Sequence, residues 1–354
     1  MGLHEIALPK YRIMLRLKAR FPAGFLFLAM ALGGCAVILP QSHALKEQRP
    51  SDLPVRAELT DVPFFAQEDY QCGPAALAMA LNAAGVGVTP DALVNQVYIP
   101  ARKGSLQVEM LAAARRHGLI AYELEPQLTD VLREVAAGTP VIVLENYGFR
   151  IRPLWHYAVV VGYDLEQGQT IRRSGLKQRQ TMPFAVFEYV WKDEGRWSMV
   201  ALPPDRLPAT ATEARYASAA VALEKSGQIR PAHTAYNTLL RRWPGSLAGQ
   251  MGRGNTAYAL KDLATAESAF RQAAQDHSNA PAAFNNLAQV LADRGRLDEA
   301  ITTAERAVSL GGPLLAATRT TLEEIRTKAT ISAQTRLEIQ QLLKAVPLLQ
   351  GRAQ

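Results

Sequence analysis

A repeat of 34 residues in the C-terminal part of the chain places the strongest constraint on its fold. The equivalent positions at that period are Ala232, Ala266 and Ala300, then Tyr236, Phe270 and Ala304, and then Leu239, Ala273 and Ala307. Small residues at fixed places let helices approach closely, and one bulky side chain fills the gap between them. Three such units over residues 213–312 therefore predict a stack of paired antiparallel helices.

This repeat resembles the tetratricopeptide pattern. The resemblance implies an all-α solenoid whose concave groove binds peptides or partner proteins. Residues 313–354 have apolar side chains three or four apart, which predicts further helices that cap the stack. The preceding "LPPDRLPATAT", at 202–212, predicts an exposed linker, so we expect residues 213–354 to fold on their own.

The charge of the chain does not indicate a nucleic-acid partner. The formal net charge is +7, but +4 of it belongs to residues 1–34, which leaves an unremarkable +3 for the rest. The chain has two cysteines, Cys35 and Cys72, too few for a disulfide-based scaffold. Each sulfur therefore needs its own explanation.

The first cysteine follows a basic stretch and a short apolar run at 21–32. The run is shorter than the roughly 20 residues of a membrane span, and its order is that of a secretory signal peptide. Translation could start at Met1 or at Met14. The run ends in "LGGC", which resembles the bacterial lipoprotein box and implies lipidation of Cys35.

That resemblance also implies a location. The signal peptide would span 1–34, and Ala36 after the lipidated residue favours the outer membrane, with the protein facing the periplasm. Residues 40–56, "PQSHALKEQRPSDLPVR", are polar and rich in proline, which predicts a lipidated tether over residues 35–57.

The second cysteine stands at a predicted helix start. In "QCGPAALAMAL", Pro74 suits the first helical turn, and the alanines that follow favour helix. Unpaired N–H groups and the helix dipole at this position stabilise an anion. We therefore expect Cys72 to have a lowered thiol pKa and to act as a nucleophile, rather than as a small buried hydrophobic residue.

A thiolate nucleophile needs a base, and His156 is the candidate among the histidines. It begins "HYAVVVGYD", a β-branched run that predicts a strand, and "PVIVLEN" at 140–146 predicts its hairpin partner. An imidazole at a strand start can face a helix N-terminus across a cleft. A structural histidine at a strand end is the alternative that the local sequence leaves open.

Together these segments resemble the papain-like peptidases that process bacteriocins. The resemblance covers roughly residues 58–200, within a domain predicted over 58–202, and depends on the order of "VPFFAQEDYQCGPAALAMAL", "GSLQVEMLAAARRHGL", "PVIVLEN", "HYAVVVGYD" and "FEYVW". It implies an α+β papain-like cysteine peptidase domain in which Cys72 is the nucleophile and His156 the base. It implies no metal and no cofactor.

Two positions depart from the pattern of that family. Its oxyanion-hole glutamine corresponds to Gln67, one residue closer to the nucleophile than is usual, with Gln71 as the alternative. Its third catalytic residue is an aspartate, and Ser174 in "QTIRRSG" aligns there, with Asp164 only a distant substitute. A serine accepts the imidazole N–H but brings no charge, which weakens such catalysis without ending it.

These features predict a lipid-anchored cysteine peptidase of the bacterial envelope that hydrolyses peptide or protein substrates through a thioester, while the repeats bind a substrate or partner. Two alternatives stay open: an acyltransferase, in which an amine intercepts the thioester, and an inactive peptidase fold that serves as a scaffold. Basic residues near the predicted base either steer an acidic peptide or lie on two solvated hairpins. They are Arg150, Arg152, Arg172, Arg173, Lys177 and Arg179.

Overall fold

A computed structural model describes residues 39–66 and 71–350, with side chains up to residue 343. From Leu39 onward the chain forms one compact unit. The predicted signal peptide, Cys35 and Gln67 lie outside the described residues. None of the helices in the described part is both long and apolar enough to span a bilayer.

The N-terminal part mixes short helices with nine strands among the described residues. It begins with α1 (Pro40–Glu47), β1 (Arg56–Glu58), α2 (Cys72–Ala83), α3 (Pro90–Val97), β2 (Tyr98–Ile99), a 3₁₀ turn (Pro100–Arg102) and β3 (Gly104–Ser105). It continues with α4 (Gln107–Arg116), β4 (Ile120–Glu123), α5 (Leu128–Ala136), β5 (Val141–Asn146) and β6 (Trp155–Asp164). It ends with β7 (Gln169–Ser174), β8 (Lys177–Pro183), α6 (Phe184–Trp191) and β9 (Ser198–Leu202).

Seven of these strands form one antiparallel sheet in the order β4-β9-β5-β6-β7-β8, with β1 paired to the end of β6. Strands β5 and β6 form the predicted hairpin, in which Glu145 lies opposite His156. Alternate residues of β6 enter different cores: Val159 packs on the side of α2, α3 and α4, whereas Val160 packs on the side of α5 and α6. The predicted α+β class is confirmed for this part of the chain.

The segment predicted as a tether is folded from α1 onward. The backbone N–H groups of Gln41 and Ser42, at the start of α1, donate to the carboxylate of Glu188 at 3.2 and 2.8 Å. Leu45 and Leu53 are buried in the core that α5 and α6 share with the sheet. The prediction of a free tether is therefore wrong here, because these apolar side chains reach the core and the helix start is capped.

The C-terminal part is the predicted helical stack. Its helices are α7 (Glu213–Lys225), α8 (Ile229–Arg242), α9 (Leu247–Ala259), α10 (Leu263–Asp276), α11 (Pro281–Asp293), α12 (Leu297–Ser309) and α13 (Leu315–Gln350). Glycines of α9 face the bulky residues of the repeat: a Cβ added at Gly252 would lie 2.1 Å from the Tyr236 ring, and one at Gly254 would lie 2.4 Å from Phe270. Small residues thus admit the large ones, as predicted.

The stack ends in one long helix rather than in several. Leu322 and Ile325, in the first half of α13, complete the core of the last repeat. No glycine or proline interrupts residues 315–346, so nothing in the sequence stops the helix between its first turns and Pro347. The prediction of several capping helices is corrected to a single one.

The predicted linker at 202–212 is bound to the sheet domain. Thr210 donates to the carboxylate of Glu134 from its backbone N–H at 2.8 Å and from its hydroxyl at 2.7 Å. Tyr216 and Tyr236, in the first helix pair, join the same core as α5 and α6. The first repeat therefore shares a core with the sheet domain, and the predicted linker is hydrogen-bonded to that domain. Folding of residues 213–354 on their own stays a prediction.

Candidate functional site

The thiol of Cys72 lies where α2 begins, against the start of β6. The backbone N–H groups of Tyr157, Gly73 and Cys72 itself are directed at the sulfur. Gly73 is required by this close packing, because a Cβ there would lie 2.2 Å from the hydroxyl oxygen of Ser105. His156 precedes Tyr157 in β6, and the predicted nucleophile and the predicted base both line one cleft.

The imidazole of His156 is held by the residue that aligned with the missing aspartate. Its Nε2 lies 2.9 Å from Oγ of Ser174, at the end of β7. We assign the tautomer that carries the proton on Nε2, because the serine oxygen then accepts it and the Nδ1 lone pair remains available. The Tyr147 ring packs against the imidazole with 5.7 Å between centroids.

A cleft of about 1200 Å³ connects these side chains. Cys72, His156 and Ser174 all line it, so the structure brings together three of the predicted site residues. Gln67 is not among the described residues, and Gln71 immediately precedes α2, where its carbonyl accepts the N–H of Ala75 at 3.1 Å. Further lining residues are Ser105, Tyr147, Tyr157, Lys177 and Glu194.

The electrostatics of the site differ from the sequence-based prediction. Burial raises the pKa of the Cys72 thiol, and this outweighs the opposite effect of the three N–H groups. Burial, reinforced by the positive charge of Arg172, lowers the pKa of His156 to about 4. The predicted low thiol pKa is therefore wrong in direction, because burial favours the uncharged form of both the thiol and the imidazole.

A buried ion pair between Arg172 and Glu145, which the sequence analysis missed, lies near the imidazole of His156. Arg172 bonds the carboxylate of Glu145, and both side chains are fully buried. The Tyr147 hydroxyl donates to the other oxygen of that carboxylate at 2.8 Å, and the second terminal nitrogen of Arg172 donates to Gln180 at 2.9 Å. The one signal available in sequence was a glutamate in the otherwise apolar "PVIVLEN", whose cross-strand neighbour is His156.

This arrangement corrects both explanations offered for the basic residues of β7. Arg172 and Arg173 are buried, so they neither steer a peptide nor lie on a solvated hairpin. Arg173 donates to the backbone oxygens of Gln178 at 3.0 Å and of Thr60 at 3.2 Å. The guanidinium groups of Arg172 and Arg173 therefore bind other parts of the domain and are not available to a ligand in solution.

Asp164 is not a substitute for the missing aspartate. It ends β6 at the far end from His156, where its Oδ1 accepts the N–H groups of Glu166 and Gln167, each at 2.9 Å. Its other oxygen pairs with Arg56 at 2.7 Å. Asp164 therefore shapes the β6–β7 turn.

The described residues contain no cluster of side chains that could bind a metal ion. Among residues 39–66 and 71–343, no group of three His, Cys, Asp or Glu side chains is arranged to hold an ion. At this cleft Cys72, His156 and Ser174 supply a thiol, an imidazole and a hydroxyl.

Comparison with known proteins agrees with this division of the chain. Residues 59–199 match the Peptidase_C39 like family, and residues 218–281 and 262–313 match the tetratricopeptide repeat. No curated protein matches the chain.

Several solved structures resemble about a third of the chain. The Yersinia enterocolitica type III secretion translocator chaperone SycD is 22% identical, with 33% of this chain and 94% of that chain covered and a TM-score of 0.32. The same chaperone in complex with a peptide of the translocator YopD is 20% identical, with 34% and 97% covered and a TM-score of 0.31. The first tetratricopeptide domain of Spaghetti (RPAP3), bound to an HSP90 peptide, is 19% identical, with 33% and 93% covered and a TM-score of 0.32.

One family match falls on the part of the chain that contains the sheet, and the other falls on the helical stack. The family resemblance seen in the sequence is thereby confirmed on both sides. The chain carries a Peptidase_C39-like domain over residues 59–199, followed by tetratricopeptide repeats over residues 218–313.

Proposed function

We propose that the chain is a cysteine peptidase that hydrolyses peptide bonds with Cys72 as nucleophile and His156 as general base. One observation carries the proposal: Cys72, His156 and Ser174 line one cleft, and Nε2 of His156 is hydrogen-bonded to Oγ of Ser174 at 2.9 Å. This gives the nucleophile, base and orienting group of a Cys-His site in one cleft.

The mechanism starts from neutral partners. As Sγ of Cys72 bonds to the substrate carbonyl carbon, the thiol proton passes to Nδ1 of His156. The same proton then goes to the leaving amine as the C–N bond breaks. Water attacks the resulting thioester and gives a proton to Nδ1, which returns it to the departing sulfur. The N–H of Cys72, at the free start of a helix, together with the amide of Gln67, stabilises each oxyanion.

Proton transfer is concerted with attack, because neither charged form is favoured in the resting cleft. The pKa of His156 is lowered to about 4, and the pKa of Cys72 is raised. Ser174 orients the ring but offers only a dipole to the imidazolium that forms. We therefore expect slower turnover than at a comparable site with a carboxylate in this position.

Cleavage of a peptide library by the full chain, read by mass spectrometry of the new N-termini, tests the activity. Cys72→Ala and His156→Ala should each abolish cleavage. His117→Ala is the matched control, because His117 ends α4 outside the cleft and contacts Gln96. Cleavage that persists in Cys72→Ala would refute the assignment.

A second candidate is a peptide-binding scaffold without catalysis. The observation in its favour is that Ser174 stands where a carboxylate would stabilise the imidazolium, while the pKa directions disfavour the ion pair. Library peptides would then bind wild type and Cys72→Ala with equal affinity, and no Cys72-dependent product would form. The two candidates thus give opposite results in one assay.

The repeats supply the second binding surface of the proposed function. Stacked helix pairs form concave surfaces that bind peptides or proteins. Between α9 and α11, a cavity of about 260 Å³ is lined by the amides of Asn255, Asn285 and Asn286, beside Tyr258. The side-chain oxygen of Asn285 is buried without a hydrogen-bond partner among the described residues. An extended peptide backbone could satisfy it, so Asn285→Ala should weaken partner binding without altering peptide cleavage.

The anchor completes the proposal. Cys35, in "LGGC", carries the lipid and holds the protein on the periplasmic side of the outer membrane. Cys35→Ser should release the protein from sedimented membranes, and Cys72→Ser, which changes the other sulfur, should not. Retention of Cys35→Ser in the outer membrane at mature size would refute this part.

A further inference from the structure

The loop between β5 and β6, which we call the hairpin tip (residues 147–154), is an ordered structure. Phe149 and Arg152 close its turn with two backbone hydrogen bonds, of 3.2 and 2.9 Å. Below the turn, Oδ1 of Asn146 accepts the N–H groups of Gly148 and Leu154, each at 2.9 Å. The side chains at the turn therefore project from a fixed backbone.

Those side chains are apolar and basic in alternation, and they face solvent. Phe149 is 79% exposed and Ile151 is 97% exposed, although no turn geometry requires a large apolar residue at either position. Arg150 and Arg152 are also exposed, and neither belongs to any ion pair among the described residues. Exposed apolar groups between cations are typical of a surface that contacts both acyl chains and anionic headgroups.

The turn of the hairpin tip, residues 149–152, does not line the substrate cleft. Tyr147, Leu154 and Trp155, at the base of the hairpin, line that cleft, whereas Phe149 and Ile151 do not. A peptide in the cleft would cover the base of the hairpin and leave the turn uncovered. Substrate binding in the cleft therefore does not explain the exposed apolar side chains of the turn, which are suited to contact with something else.

The start of α1 lies at the same end of the sheet as the hairpin tip. Gln41 bonds Glu188 at 3.2 Å, and Glu188 pairs with Arg196 at 3.4 Å. Arg196 adjoins Trp197, whose carbonyl accepts the N–H of Leu144 at 3.3 Å, two residues before the hairpin leaves the sheet. Whatever precedes α1 is thus attached at the end of the domain from which the tip projects.

This placement agrees with the proposed anchor. Cys35 precedes Leu39 by four residues, and four extended residues reach at most about 14 Å. A lipid on Cys35 would therefore hold this end of the domain close to the bilayer. This step rests on the proposed lipidation, whereas the chemistry of the turn does not.

We propose that the hairpin tip docks on an anionic lipid surface, with Phe149 and Ile151 inserted at the acyl boundary and Arg150 and Arg152 on headgroup phosphates. The contact orients the cleft of Cys72 towards the membrane surface. Substrates that lie along the membrane then reach the thiol more readily than substrates in bulk solution.

Vesicle sedimentation of residues 39–354, the compact unit without leader or lipid, tests the proposal. Wild type should sediment with vesicles that contain phosphatidylglycerol, less with phosphatidylcholine alone, and less in high salt. Phe149→Ser with Ile151→Ser should weaken partition at least tenfold. The matched control is Ile331→Ser with Leu337→Ser on α13, each 58% exposed in the native chain, which should leave partition unchanged.

The charge of the tip is tested separately. Arg150→Gln with Arg152→Gln should weaken partition into phosphatidylglycerol vesicles about 30-fold, the effect of removing two cations from an anionic surface. Arg319→Gln with Arg336→Gln, two exposed arginines of α13, should have little effect. Thermal melting should be the same for all variants, since every substituted side chain is exposed.

Three results would overturn the proposal. Wild type could fail to partition into either kind of vesicle. The tip variants could partition as wild type does. Alternatively, Phe149→Ser with Ile151→Ser could leave partition intact and weaken peptide capture by Cys72→Ala, which would assign the tip to peptide binding. None of these outcomes depends on lipidation of Cys35 or on turnover, so failure here is distinguishable from failure of the proposed peptidase.

Discussion

Ser174→Asp should convert the neutral thiol–imidazole site into one that stabilises an ion pair. Ser174 lies 2.9 Å from Nε2 of His156 and lines the cleft, so a carboxylate there can accept the same proton. An opposite charge at such a distance shifts a pKa by roughly 1–3 units. We therefore expect the pKa of His156 to rise from about 4 to roughly 5–7.

The thiol should respond in the opposite direction. At pH 6, a group with a pKa of about 4 is only about 1% protonated, whereas one with a pKa near 6 is half protonated. A protonated His156 places a positive charge beside Cys72 and lowers the thiol pKa. Iodoacetamide reacts with the thiolate, so alkylation of Cys72 near pH 6 should accelerate about tenfold for each unit by which the thiol pKa falls.

The pH profile of Cys72 alkylation shows whether the effect of Ser174→Asp comes from the new negative charge or from the changed shape of the side chain. Wild type should lose rate steadily as pH falls, and Ser174→Asp should show a plateau of ion-paired thiolate between the two pKa values. Ser174→Asn is the matched control of similar size without charge, and it should follow wild type. Coincident profiles for Ser174→Asp and wild type, or a plateau in Ser174→Asn, would refute the electrostatic argument.

The same histidine makes stability depend on pH. Its pKa is about 4 in the folded chain and 6.5 when unperturbed, so the unfolded chain binds a proton first as pH falls. Stability from neutral His156 is therefore fully present above about pH 6.5, decreases as pH falls towards 4, and levels off below that value. Ser174→Asp should raise the pKa of His156 in the folded chain and so narrow the pH range over which this stability is lost. The midpoint of unfolding, measured at a series of acidic pH values, would show the change.

Two further predictions concern packing and the buried ion pair. Gly252→Ala should lower the free energy of unfolding by about 1–3 kcal/mol in denaturant titration, because its Cβ would lie 2.1 Å from the Tyr236 ring; Gly245→Ala, with no atom within 4 Å, should not, and equal effects would contradict the packing argument. Arg172→Met should cost about 3–5 kcal/mol by leaving Glu145 buried without its partner. Adding Glu145→Gln should recover much of that loss, and a double variant no more stable than the single one would count against this account.

Much of the site could be predicted from local sequence. Pro74 and the alanines after it specify a helix start, and this places Cys72 at an N-terminus without reference to any other part of the chain. The β-branched run after His156 specifies a strand in the same way. Alignment with a known family then brought Ser174 to the correct neighbour, since the structure bonds it to His156.

The errors share one physical cause, which is burial by distant residues. A helix N-terminus lowers a thiol pKa, but the packing of β6 over Cys72 removes solvent and reverses the sign. Arginines in "QTIRRSG" look solvated until β5 supplies Glu145 to Arg172. The proline-rich segment predicts a tether, but Leu45 within it is buried in a core formed by residues far along the chain.

The sequence by itself determined the repeat, the helix that begins at Cys72, the β5–β6 hairpin and the order of the two parts. Each follows from patterns within a few tens of residues, because periodic apolar positions and turn residues act locally. Only the tertiary structure decided the charge state of the site, the neighbours of His156, the shared core of sheet and first repeat, and the exposure of the hairpin tip. These depend on which surfaces exclude water, and desolvation is set by residues far apart in the chain.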